Sequence, residues 1–182
     1  RPLAYVDLDR LNHNAQQVLN YSRNARVRVG SKSVRCTAIL RHILQRHARF
    51  EGLLCFTAPE AVWLAQNEFT DLVVAYPTWE PSHIEQVLDQ TRETPVITLM
   101  VDSLEQINHL SQLSSAHGTN LPVCIDLDMA TDHYGLHFGA WRSPIKEVDQ
   151  ILALAQAIEK APFLKLDGVM GYEGLIAVTT HN

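Results

Sequence analysis

Alternating short apolar runs and amphipathic stretches predict an α/β fold: a parallel (β/α)8 TIM-type barrel, incomplete in this 182-residue chain. The runs at residues 27–29, 53–56, 72–75, 96–101, 123–127 and 166–170 are rich in Val, Ile and Leu. They have few polar breaks, as strands buried on both faces require. Helical patterns lie between or beside them at 37–47, 59–65, 81–90, 104–116 and 145–160. Strand–helix–strand repetition forces parallel pairing, because a parallel neighbour needs a long crossover. About six barrel strands are present, against eight in a closed barrel, so the chain is expected to be an N-terminal portion of a longer protein.

The boundaries follow from local chemistry. Thr57 and Glu60 have capping-box spacing after the second run. Asp102 with Glu105 predicts another helix start, and Ser143-Pro144 offers an N-cap followed by proline at the first helical position. Gly118 and Pro162 follow helix ends. Residues 3–9 alternate openly, with Tyr5, Asp7 and Asp9 against Val6 and Leu8, which predicts a strand leading into a helix over 11–23. That strand is placed outside the barrel, so residues 1–24 form an N-terminal strand and helix and 25–182 the partial barrel.

Composition narrows the function class. An apolar fraction of 46% and a charged fraction of 19% are those of a globular enzyme-like domain, and a net charge of -5 disfavours nucleic-acid binding. No apolar run nears the length of about eighteen residues that a membrane span needs, and the first residues show no signal-peptide pattern. Cys36, Cys55 and Cys124 are odd in number and lack metal or redox spacing, which points to free thiols in the cytoplasm.

In a parallel barrel, chemistry sits at the carboxyl ends of the strands. The residues there are Lys32, Thr57, Glu60, Tyr76, Asp102, Asp126, Asp128, Tyr172 and Glu173. Of the four lysines, Lys146 and Lys160 fall on a helix pattern and Lys165 precedes its strand, which leaves Lys32 to close one. Period-2 alternation puts Arg28, Gly30 and Lys32 on one face. There a neighbouring cation favours the neutral amine that imine formation requires, and Gly30 leaves room for a flat ring. The alternative is a solvated loop lysine. Asp126 and Asp128 share a strand face, suited to acid–base work, to pairing with Arg28 or an incoming amine, or to capping a turn. Gly171-Tyr172-Glu173-Gly174 offers either close approach to a ligand or an ordinary turn. His133 and His137 straddle Gly135 and lack convincing metal-ligand spacing.

Six segments stand out in order along the chain: Val-Asp-Leu-Asp-Arg-Leu-Asn-His-Asn (6–14), Arg-Val-Gly-Ser-Lys-Ser-Val-Arg-Cys (28–36) and Val-Ala-Tyr-Pro (74–77). Ile-Asp-Leu-Asp-Met (125–129), Arg-Ser-Pro (142–144) and Gly-Val-Met-Gly-Tyr-Glu-Gly (168–174) follow. Together they resemble the fold-type III, alanine racemase-like pyridoxal-phosphate enzymes, and look closest to the D-threonine aldolase and D-serine dehydratase-like branch (amino acid deaminase/aldolase). The resemblance implies that Lys32 is the catalytic residue and forms the imine with pyridoxal 5'-phosphate, with Tyr172 beside the cofactor. It also implies that the first strand belongs to a second, β-rich domain, that the remaining barrel strands lie after residue 182, and that the complete protein is a homodimer. In this branch a divalent metal is bound through later residues. Many relatives carry an arginine facing the pyridine nitrogen in the loop at 129–139; here there is none before Arg142, and His133 or His137 would stand in its place. Cofactor-binding candidates are thus Lys32, Arg28, Tyr172, Asp128 and His137. Leu175 replaces a histidine common in the aldolases.

The implied activity is a lyase acting on a small D-configured β-hydroxy amino acid, by aldol cleavage or dehydration and deamination. An amino acid racemase of the same fold and a non-catalytic pyridoxal-phosphate barrel are the alternatives. These 182 residues alone, lacking a closed barrel, are expected to be inactive.

Overall fold

The computed structural model describes residues 4–93 and 97–174. They fall into two compact units, Arg1–Leu54 and Cys55–Asn182. In the first, Asp7 caps helix α1 (Leu8–Tyr21) by accepting from the amides of Asp9 and Arg10. This corrects the strand expected over 3–9. Leu3 lies outside the described residues, residues 4–7 are irregular, and the Asp7 carboxylate satisfies orphan amides that commit Leu8 and Asp9 to the helix.

Strand β1 (Val27–Gly30), the single turn α2 (Ser31–Val34), helix α3 (Thr37–Arg46) and strand β2 (Phe50–Cys55) follow. β1 and β2 pair in parallel, with Val27 opposite Phe50 and Gly30 opposite Leu54. Their core is small: Ala15, Leu19, Ile43 and Phe50, flanked by the half-buried Leu11, Val27, Val29, Ile39 and Leu44.

The second unit continues the alternation with α4 (Ala58–Gln66), β3 (Leu72–Pro77), α5 (Pro81–Glu93), β4 (Ile97–Val101), α6 (Leu104–His117) and β5 (Leu121–Asp128). A hairpin of β6 (Thr131–His133) and β7 (Leu136–Phe138) interrupts it before α7 (Val148–Lys160) and β8 (Leu164–Tyr172). β3, β4, β5 and β8 pair in that order, all in parallel. Every residue of β4 is buried, as the unbroken run Ile-Thr-Leu-Met-Val demands. β8, paired only with β5 among the described residues, leaves Leu166 and Val169 substantially exposed, so it lacks the two-sided burial expected of it.

Two helix starts differ from expectation. Ser103, not Asp102, caps α6, its hydroxyl accepting from the Gln106 amide. α7 begins three residues later than the 145–160 pattern, with Gln150 Oε1 accepting from the Lys146 and Glu147 amides. Among the described residues, no helix is long and apolar enough to cross a membrane.

Candidate active site

In the first unit, Val27 and Val29 pack against the small core, which turns Arg28 and Gly30 to the opposite face of β1. The alternation stops there. Ser31 is buried and its hydroxyl donates to the Leu54 carbonyl, while the Arg35 amide donates to Ser31 O and closes one helical turn. Arg35 ends the turn in the left-handed region at φ 47°. Lys32 therefore lies just after the carboxyl end of β1, exposed in this turn, and not in strand register with Arg28 and Gly30 as expected. The buried serine hydroxyl, satisfied by a strand carbonyl, makes the turn. A Cβ built on Gly30 would meet nothing nearer than Ser33 Oγ at 4.0 Å, so the backbone there offers open space.

In the second unit, the strand ends gather around a residue that the sequence reading did not single out as a site. Ser143 Oγ donates to Asp126 O at 2.7 Å and accepts from the Ile145 amide, and the Asp128 amide donates to Ile145 O. The serine is thus spent on β5 instead of capping a helix, and it lays residues 142–145 along the strand end. Arg142 Nε then donates to Asp126 Oδ2 at 2.9 Å, and Nη2 donates to the Ala75 carbonyl. The guanidinium carbon sits 4.1 Å from the Tyr76 ring centroid and 5.3 Å from that of Tyr172. Phe56 meets Tyr76 edge to face at 5.4 Å.

Both carboxylates of β5 are buried. Asp128 Oδ1 accepts from the Ala130 amide and so caps the turn, while its Oδ2 lies 3.7 Å from Lys146 Nζ. Asp126 Oδ1 and Asp128 Oδ2 have no hydrogen-bond partner among the described residues. Burial pushes the Asp126 carboxyl above the usual carboxylate range. The charge and hydrogen bond of Arg142 oppose that rise, and Asp102 and Asp128 reinforce it. Asp102 is raised too, chiefly by burial, against its own backbone hydrogen bond and that of Ser103.

Tyr172 ends β8, opposite Asp128 in register. Thr57 caps α4 as expected, its Oγ1 accepting from the Glu60 amide. Glu60 Oε2 accepts from the amide of Phe56, one residue before the cap, where a full capping box uses the amide of the cap residue itself. His133 and His137 lie on the β6–β7 hairpin, turned by Tyr134 and Gly135 at positive φ; the side chains of both histidines fall outside the described residues, as does Leu175. Lys146, assigned to a helix pattern from sequence, instead precedes α7 and stands 4.6 Å from the Trp141 ring centroid beside Asp128. Arg142 and Lys146 were missed for one reason. The Ser-Pro pair between them reads as a helix start, and only the hydrogen bonds of Ser143 reveal a strap along β5.

Parallel strands with ionisable side chains at their carboxyl ends make this an α/β protein with the arrangement in which barrels of that class carry their chemistry. The chain belongs to the family described as alanine racemase, N-terminal domain, whose model matches residues 6–180. It is 24% identical over 174 residues to 3-hydroxy-D-aspartate aldolase of Paracoccus denitrificans, covering 95% of this chain and 43% of that protein. Among solved structures it is similar to D-threonine aldolase from Filomicrobium marinum, at TM-score 0.75 and 23% identity over 90% of this chain and 42% of that one. D-threo-3-hydroxyaspartate dehydratase from Delftia sp. HT23 matches at TM-score 0.73 and 21% identity, over 91% and 41% of the two chains. Alanine racemase of Clostridium difficile 630, in complex with cycloserine, matches at TM-score 0.69 and 16% identity, over 90% and 42%. The chain thus spans about two fifths of the length of the relatives it matches. Its fold is alanine racemase-like, with six parallel strands in keeping with an incomplete (β/α)8 barrel.

Proposed function

We propose that the complete protein is a pyridoxal-phosphate-dependent lyase acting on a D-configured β-hydroxy amino acid, working as a homodimer. The observation that carries this reading is Lys32: an exposed amine just past the carboxyl end of the first parallel strand, in a chain of this family. The relatives named aldolase and dehydratase support the reaction class.

Each unit carries residues suited to the cofactor. Lys32 Nζ would hold its carbonyl, the open face above Gly30 admits a planar ring, and Arg28 shares that face of β1. Tyr172 presents a half-exposed ring at the end of β8, and Asp128 presents a buried oxygen that lies 3.7 Å from Lys146 Nζ and has no hydrogen-bond donor among the described residues. His137 completes this proposed set. When bound, the cofactor supplies an electron sink for the charge that develops as a substrate bond breaks. Asp102 and Asp126, whose carboxyl groups burial shifts upward from the usual carboxylate range, stand at the strand ends as groups suited to exchanging a proton. Among the described residues, no group of three His, Cys, Asp or Glu side chains is arranged to hold a metal ion.

Product analysis of the complete protein tests the reading. D-threonine and D-3-hydroxyaspartate should give glycine with an aldehyde by aldol cleavage, or an oxo acid with ammonia by dehydration. Interconversion of D- and L-amino acids, with the α-proton exchanged but no Cα–Cβ or Cβ–O bond broken, would instead identify a racemase.

A further inference from the structure

Resting on the lyase reading above, we propose that Arg142 is a positioning residue that acts through the rings of Tyr76 and Tyr172, not a direct seat for the substrate's carboxylate. Two of its three nitrogens are tied to the sheet: Nε to Asp126 Oδ2 at 2.9 Å and Nη2 to Ala75 O. Its guanidinium lies 4.1 Å and 5.3 Å from the two ring centroids, within the range at which a cation is drawn to an aromatic ring. The arginine side chain is 9% exposed and that of its aspartate partner 0%, so the ion pair is sealed and its charge cancelled at short range.

The surroundings reinforce this. Asp102 and Asp128 add carboxylate charge around Asp126, and an anion approaching Arg142 would be repelled by them. An anion seat has the opposite character, with surplus positive charge and no carboxylate paired to it. Tyr172 is 46% exposed against 9% for the Arg142 side chain, so the ring is the more open of the two. The planar fork matters too. A lysine could keep the charge, but it could not bond both strands while lying against both rings.

The test uses the complete protein with Arg142→Leu, Arg142→Lys, Asp126→Asn, Tyr172→Ala and the Arg142→Leu/Tyr172→Ala double variant. In cofactor-free crystals of Arg142→Leu, the Tyr172 ring should leave its parent position, and Asp126→Asn, which loosens the arginine's anchor, should shift it in the same sense. If Arg142→Leu does not fold, Asp126→Asn and Arg142→Lys carry this comparison. With cofactor and substrate, kcat/KM should fall roughly 10- to 100-fold, mostly in kcat. The lysine variant should recover little, and the double variant should be no worse than Tyr172→Ala alone. An unmoved Tyr172 ring would overturn the proposal. So would a rise in KM that lysine rescues and that multiplies with the Tyr172→Ala loss, since the charge itself would then hold the substrate. Failure of the lyase reading is separately visible, because the parent would then cleave no D-β-hydroxy amino acid while the cofactor-free crystals still report on the ring.

Discussion

The two units treat charge in opposite ways. In the first, a short strand over a small apolar cluster leaves Arg28 and Lys32 exposed. In the second, strands buried along nearly their whole length seal Arg142 and Asp126 together. An exposed amine can meet a carbonyl compound, whereas a sealed ion pair can only hold its neighbours in place. The difference separates the residue suited to reaction from the residues suited to positioning.

Removing one partner of the sealed pair should give the largest stability effect. Asp126→Ala leaves the Arg142 guanidinium buried without its counter-charge and should cost about 3–5 kcal/mol in urea unfolding of the complete protein. Asp126→Asn, which keeps a hydrogen-bond acceptor, should cost less. Next come core truncations. Leu99→Ala, in fully buried β4, should lose close to the upper end of about 2–5 kcal/mol. Leu19→Ala, in the cluster bordered by half-buried side chains that can collapse into the space, should fall near the lower end. Equal losses would break the contrast between the units.

Smaller effects sharpen it. Asp7→Ala removes the cap of α1 and should cost about 1 kcal/mol, read from the same denaturation curves. The buried carboxyls give a pH signature. Burial raises the Asp102 and Asp126 carboxyls above the ordinary aspartate value of 3.8, so the folded state holds their protons more tightly than the unfolded chain. Their stabilising contribution is full below 3.8 and is lost as pH rises through the raised values. Asp102→Asn should flatten that part of the pH–stability curve, and an unchanged slope would remove Asp102 from the explanation.

Much of the fold is legible in the sequence because buried parallel strands must be apolar on both faces. The runs at 72–75, 96–101 and 123–127 therefore mark β3, β4 and β5 to within a few residues; Val96 alone lies outside the described residues. The strand expected over 3–9 misleads because Asp7, read as one term of an alternation, is a helix cap. Among the candidate site residues, Lys32 is found by its place after a strand, but its helical turn depends on the Ser31 hydroxyl reaching the Leu54 carbonyl. Period-2 reasoning has no access to that bond. Arg142 and Lys146 are hidden for a related reason. Ser143 can cap a helix or bond a strand, and the choice rests on tertiary contacts that no local pattern contains.

The most direct test of the central claim is the absorbance of the complete protein with pyridoxal phosphate, recorded for the parent, Lys32→Ala and Lys146→Ala. The parent and the Lys146 variant should show the visible imine band, and Lys32→Ala should lose it. A parent without that band, or a band lost on changing Lys146 but kept without Lys32, would contradict the assignment.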